Sequence, residues 1–196
     1  MAVLAKWLAG IGGVLLVIAV FRQDPAPPVP ESAGAIAVRH AAPMKSSRPV
    51  SIRIPALGVD APIEQLGVDS DQQLEVPSDP ATAGWYEEGS APGAAGAAVI
   101  AGHVTWEQEP AVFFKFGDLR PGQRVHMRRA DGRTAIFAIT KIEQYAKDEF
   151  PTAKVYRPVN RPVLRLITCG GQYDADSDSY TANVVAYGTL VATRRR

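Results

Sequence analysis

The chain alternates apolar and polar side chains over short stretches that are separated by turn residues. Val50-Ser51-Ile52-Arg53-Ile54 reads as a half-buried strand, and Pro55 ends it or marks a sheet edge. The same pattern predicts strands over 63–67, 97–101, 124–128, 134–145, 163–168 and 183–192. In the third of these, Val125 and Met127 point one way while Arg124, His126 and Arg128 point the other. Asp131-Gly132 sits between that strand and the next, a strong hairpin-turn signal. Helical periodicity is nearly absent, with helical turns predicted only near Pro80 to Gly84 and Glu109 to Phe116. Many short strands with Gly/Pro turns and no long internal repeat imply an all-β barrel or sandwich.

The N-terminus follows a different rule. From Trp7 to Phe21 no residue is charged, and from Met1 to Phe21 only Lys6 is. That length approaches the roughly 20 residues needed to cross a bilayer core. Residues 1–22 are therefore expected to be a retained membrane anchor, with a secretory signal peptide as the competing reading. The nearest small-x-small site, Ala33-Gly34-Ala35, lies far from the apolar run, which favours the anchor. Lys6 and Arg22 nearly balance across the segment, so charge alone sets no orientation. With so few residues before the span, a single-pass protein with its bulk outside the cell membrane is the simplest arrangement. Residues 23–48, with Asp24-Pro25-Ala26-Pro27-Pro28-Val29-Pro30, read as a Pro/Ala-rich linker that would act as a semi-rigid spacer. Residues 49–193 then form the folded domain, and 194–196 a basic tail.

Composition narrows the function. The formal net charge is +1, which gives nucleic acid no electrostatic hold, and the terminal arginines read as a solvated tail. There are 17 glycines and 16 prolines, in keeping with turns and short strands rather than long helices. The one cysteine, Cys169, cannot form an internal disulfide. It closes the apolar run Val163-Leu164-Arg165-Leu166-Ile167-Thr168, and Gly170-Gly171 follows at once. This reads as a strand carrying a thiol to its own end.

A reactive cysteine needs a base or a positive neighbour, because a free thiol titrates at about 8.5. His40 lies in the linker and His126 on the polar face of a strand, where solvated or structural roles fit best. His103 ends a second apolar run, Ala97 to Ala101, in the same manner as Cys169 ends its own. The two form the candidate catalytic pair. Acyl transfer also needs a donor to the developing oxyanion. Backbone N–H groups near Gly170 and Gly171 are candidates, but no arginine or lysine occurs between Cys169 and Arg194. Asn183 is the one amide side chain in the strand that follows. No metal site is expected: one cysteine and scattered histidines match no zinc spacing, and Asp174, Asp176 and Asp178 lack the glycine and distal glutamate of an EF-hand loop.

Taken together these residues resemble the sortase family. Leu166-Ile167-Thr168-Cys169 is similar to the family's Thr-Cys signature, and Gly102-His103 to the end of its histidine strand. Ile54-Pro55-Ala56-Leu57-Gly58-Val59, Gly84-Trp85-Tyr86, Pro92-Gly93, Phe150-Pro151-Thr152 and Cys169-Gly170-Gly171 resemble the actinobacterial type called class F. The resemblance runs over about residues 49 to 192. It implies an eight-stranded sortase-type β-barrel with short helical turns. It also implies a cysteine transpeptidase that needs no cofactor and cleaves secreted proteins at an LPXTG-like C-terminal sorting signal. Cys169 would hold the acyl group as a thioester, His103 would move the protons, and an amine of a peptidoglycan precursor would accept the product. Thr168 and Gly170 would touch substrate. Many family members carry an arginine roughly a dozen residues after the cysteine, and this chain has none there. Asn183 is the expected donor in its place. Two alternatives stand beside this reading: a hydrolase of the same fold, and an inactive surface-binding barrel.

Overall fold

The computed structural model describes residues 26–28, 34–71 and 73–195. Ten strands occur: β1 (Pro49–Ile54), β2 (Val59–Leu66), β3 (Ala83–Tyr86), β4 (Gly96–Ala101), β5 (Thr105–Trp106), β6 (Glu109–Pro110), β7 (Arg124–Arg129), β8 (Arg133–Ala146), β9 (Pro162–Asp174) and β10 (Ser179–Arg195). Eight of them close a barrel in the order β1-β2-β3-β4-β9-β10-β8-β7, and β5 and β6 form a separate small hairpin. All barrel pairs are antiparallel except β2 with β3 and β4 with β9. The one α-helix, α1 (Thr152–Tyr156), and three 3-10 turns complete the described elements. The all-β, eight-stranded expectation is met.

Alternation builds two layers from the same strands. Ile52 and Ile54 of β1, Ala98 and Ile100 of β4, Leu164 and Leu166 of β9, and Val184 and Ala186 of β10 fill the barrel interior. Their neighbours face outward. Val99, Ile167, Val185 and Tyr187 form a second apolar cluster, which Val155 and Tyr156 of α1 and Phe150 cover from outside. Side chains that alternate between a closed interior and a covered exterior explain why β9 reads as a nearly unbroken apolar run.

Three expectations need correction. Pro80 to Gly84 is a turn leading into β3, not a helical turn. Gly84 makes room for a neighbour: a Cβ would sit 2.2 Å from Leu66 Cδ1, so any larger residue would force the buried Leu66 side chain to move. Glu109 to Phe116 is divided between β6 and a 3-10 turn, Phe114–Asp118. The strand predicted to end at Cys169 continues to Asp174, so the thiol lies within a strand rather than at its end.

The segment read as a linker is partly built into the domain. Ile36 N–H donates to Thr140 O at 3.0 Å, Ala41 N–H to Leu190 O at 2.8 Å and Met44 N–H to Gly93 O at 2.8 Å. Met44 is buried in the barrel's core cluster. Beside it the buried Arg129 donates to Pro92 O and Lys45 O and pairs with Asp131 at 2.7 Å. Every nitrogen-bearing end of this buried guanidinium is thus occupied, which is what keeps its burial tolerable. Among the described residues no helix is long and apolar enough to cross a membrane. The predicted span, residues 1–22, lies outside the described residues.

Candidate active site

Cys169 projects from the outer face of β9, two positions beyond Ile167. The last backbone pair between β4 and β9 is Ala101 with Ile167. Gly102 N–H still donates to Ile167 O at 3.2 Å, and the Thr168 hydroxyl donates to Gly102 O at 2.7 Å. His103 follows immediately. The alternation and the parallel pairing of β4 and β9 therefore carry the thiol and the imidazole to one level of the barrel. Both line a groove of about 830 Å³, walled also by Thr105, Trp106, Tyr173 and Tyr180.

The imidazole is oriented on two sides. His103 Nε2 donates to the carbonyl of Pro77 at 2.8 Å, which leaves Nδ1 as the free nitrogen. The indole of Trp106 meets the ring edge-on, with centroids 4.8 Å apart. Trp106 is held out by the β5–β6 turn, where Glu107 and Gln108 both have positive φ. Thr105 hydrogen-bonds across the groove to Tyr180 at 3.0 Å.

Cys169 is half-buried. Burial pushes its thiol above the ordinary range, and the positive charge of Lys147 works in the opposite direction. Asn183 is the direct register partner of Cys169 across β9 and β10. Residues so paired on one face have Cβ atoms about 5 Å apart. The Asn183 carboxamide has no partner among the described residues, so its N–H groups are free to donate. The structure thus puts Cys169 and His103 on one groove and Asn183 beside Cys169 on the neighbouring strand. It places His126 elsewhere, on the far side between β1 and β8.

The two glycines after the cysteine are conformational requirements. A Cβ on Gly170 would lie 2.5 Å from Val184 Cγ2. Gly171 has φ +81°, and there the ladder to β10 slips between Tyr180 and Ala182. This is a β-bulge, for which the left-handed glycine is needed. Thr168 is buried and its hydroxyl is spent on Gly102, so it positions the strand ends rather than facing the groove.

Several features here were not legible in the chain. Pro77, Trp106, Tyr180 and Lys147 belong to loops or strand margins, and nothing in their local pattern ties them to Cys169. Pro27 and Pro28 also border Cys169, Gly170 and Gly171. Among the described residues no cluster of three or more His, Cys, Asp or Glu could hold a metal ion.

Residues 52–191 match the family model of the Sortase domain. No curated protein matches the chain by sequence. Among solved structures, sortase A of Listeria monocytogenes is 17% identical, with a TM-score of 0.58 over 77% of this chain and 92% of that one. The SrtA sortase of Actinomyces oris is 18% identical, with a TM-score of 0.58 over 85% of this chain and 88% of that one. Sortase C-1 of the same organism is 22% identical, with a TM-score of 0.55 over 74% and 75%. At these identities the likeness to the solved structures is one of fold.

Proposed function

The chain belongs to the sortase family, and on that footing we propose that it is a cysteine transpeptidase acting through Cys169. The observation that carries this reading is the shared groove. Cys169 and His103 line it together, and the residues just before them are hydrogen-bonded to each other.

The chemistry follows from the groups present. His103 Nδ1 takes the Cys169 proton, and the thiolate attacks a peptide carbonyl carbon. Charge then collects on the carbonyl oxygen, where the Asn183 amide can donate. The imidazolium passes its proton to the leaving amine as the C–N bond breaks, leaving a thioester on Cys169. An incoming amine gives a proton to His103, attacks the thioester and releases the thiol. In substrate terms, the donor is a secreted protein with an LPXTG-like C-terminal signal, and the acceptor is an amine of a peptidoglycan precursor. The N-terminal apolar run would hold the enzyme to the cell membrane with the barrel outside, in keeping with the class F type that the sequence resembles.

Mass spectrometry of the products from an LPXTG-type peptide, with and without an added amine, tests the proposal. The expected product carries the amine in place of the leaving peptide. Cys169→Ala and His103→Ala should each abolish thioester formation. Product that never contains the amine would replace transpeptidation with hydrolysis. Covalent capture of a peptide analogue by Cys169→Ala would refute the assignment of the nucleophile.

A further inference from the structure

The reading above leaves the site with a neutral donor and no cation from β10. Two rows of the sheet lead from Cys169 to a lysine. Tyr145 of β8 pairs with Asn183 of β10, which pairs with Cys169 of β9. One step on, Ala146 pairs with Ala182, which pairs with Gly170. Lys147 is the next residue, and it opens the 3-10 turn Lys147–Glu149. It therefore leaves the sheet level with the nucleophile, one strand beyond Asn183.

Its ammonium turns back toward the groove. Lys147 Nζ donates to Ser179 Oγ, and Ser179 lines the groove with Cys169 and His103. Three other basic groups nearby are turned to other partners. Lys141 and Lys154 both pair with Glu143. Arg165, four residues before Cys169, lies over the Tyr187 ring at 4.5 Å. Lys147 has no carboxylate partner among the described residues.

We infer that Lys147 supplies the positive charge of this active site, reaching it from the end of β8 instead of from the strand after the cysteine. This rests on the transpeptidase reading of the groove. The charge favours the Cys169 thiolate over the buried neutral thiol and favours the oxyanion that Asn183 contacts. The titratable groups that share the groove are His103, Glu107, Asp178, Tyr173 and Tyr180, and Asp178 is already bonded to Tyr173. Of the charged groups around Cys169, Lys147 is the one that acts on its thiol, and it favours the thiolate.

The test uses the full chain and needs no peptide. Cys169, the single thiol, is alkylated with neutral iodoacetamide across the pH range in wild type, Lys147→Met, Lys147→Gln and Lys147→Arg. Both neutral variants should slow alkylation at neutral pH by about threefold, shifting the profile to higher pH. The arginine variant should restore it. At about 1 M salt the wild-type advantage should shrink, though not vanish, because Cys169 is half-buried. Unchanged profiles in the neutral variants, or no rescue by arginine, would overturn the assignment. With an LPXTG-type peptide, Lys147→Met should lower kcat with little change in KM. A shifted alkylation profile in a protein that never transfers peptide to amine would leave Lys147 assigned and remove the transpeptidase reading.

Discussion

The hydroxyl of Thr168 donates to the carbonyl of Gly102, so the residue before Cys169 is bonded to the residue before His103. Two strands that part company after Ile167 are thereby held together for one more step. Thr168→Val keeps the shape and removes the donor. It leaves the buried Gly102 carbonyl unpaired, at a cost of about 1–3 kcal/mol. Thermal unfolding should register that loss. Turnover should fall by about tenfold or more, with KM nearly unchanged, because the pair loses alignment rather than substrate contacts.

Asn183 is the register partner of Cys169, and the proposed donor role can be tested by removing a side chain on which the barrel does not depend. Asn183→Ala is expected to lower kcat by about tenfold, the worth of one neutral hydrogen bond. The midpoint of denaturant unfolding should hardly move. An unchanged rate would transfer the donor role to another group.

At Gly171 the backbone has φ +81°, and a Cβ would lie 2.7 Å from Thr181 Oγ1. Gly171→Ala should cost about 1–3 kcal/mol through strain at the bulge. Hydrogen exchange should show the loss concentrated near residues 169–183, with β1 and β7 unaffected.

On the outer layer, burial of the Glu143 carboxyl opposes its charge, but hydrogen bonds from Lys141, Tyr145 and Lys154 prevail and hold it at about 2. Its folded value lies below its unfolded value near 4.5. The stability it contributes is therefore complete above that range and lost as pH falls from about 4.5 toward 2. Wild type should lose more Tm over that interval than Glu143→Gln, and the two curves should converge at the acid end.

What the chain shows by inspection follows the reach of local pattern. Val163 to Thr168 and Ala97 to Ala101 stand out as buried strands because both of their faces are covered. Cys169 and His103 stand out because each interrupts such a run. Asp131-Gly132 marks its hairpin turn, where Gly132 has φ +74°. The extension of β9 past Cys169 is hidden, because Gly170 and Gly171 resemble a strand terminator when they are in fact the bulge within it. β3 is hidden because its fitness as a strand depends on Leu66 lying over Gly84. Lys147 is hidden for a related reason: its nearness to Cys169 exists only through the registers of two neighbouring strand pairs.

The barrel ends before β9 and β10 do. Beyond Ile167 on one side and Ala146 on the other, these strands pair only with each other, out to Asp174 and Ser179. Two side-chain clasps, Thr105 with Tyr180 and Lys147 with Ser179, hold this projecting arm to the body. A single pair of strands thus serves first as part of a closed wall and then as a two-stranded projection beyond it. Cys169 sits at the seam, still tied through Asn183 to Tyr145 of the wall. A peptide that pushed the arm aside would therefore leave the thiol anchored to the wall.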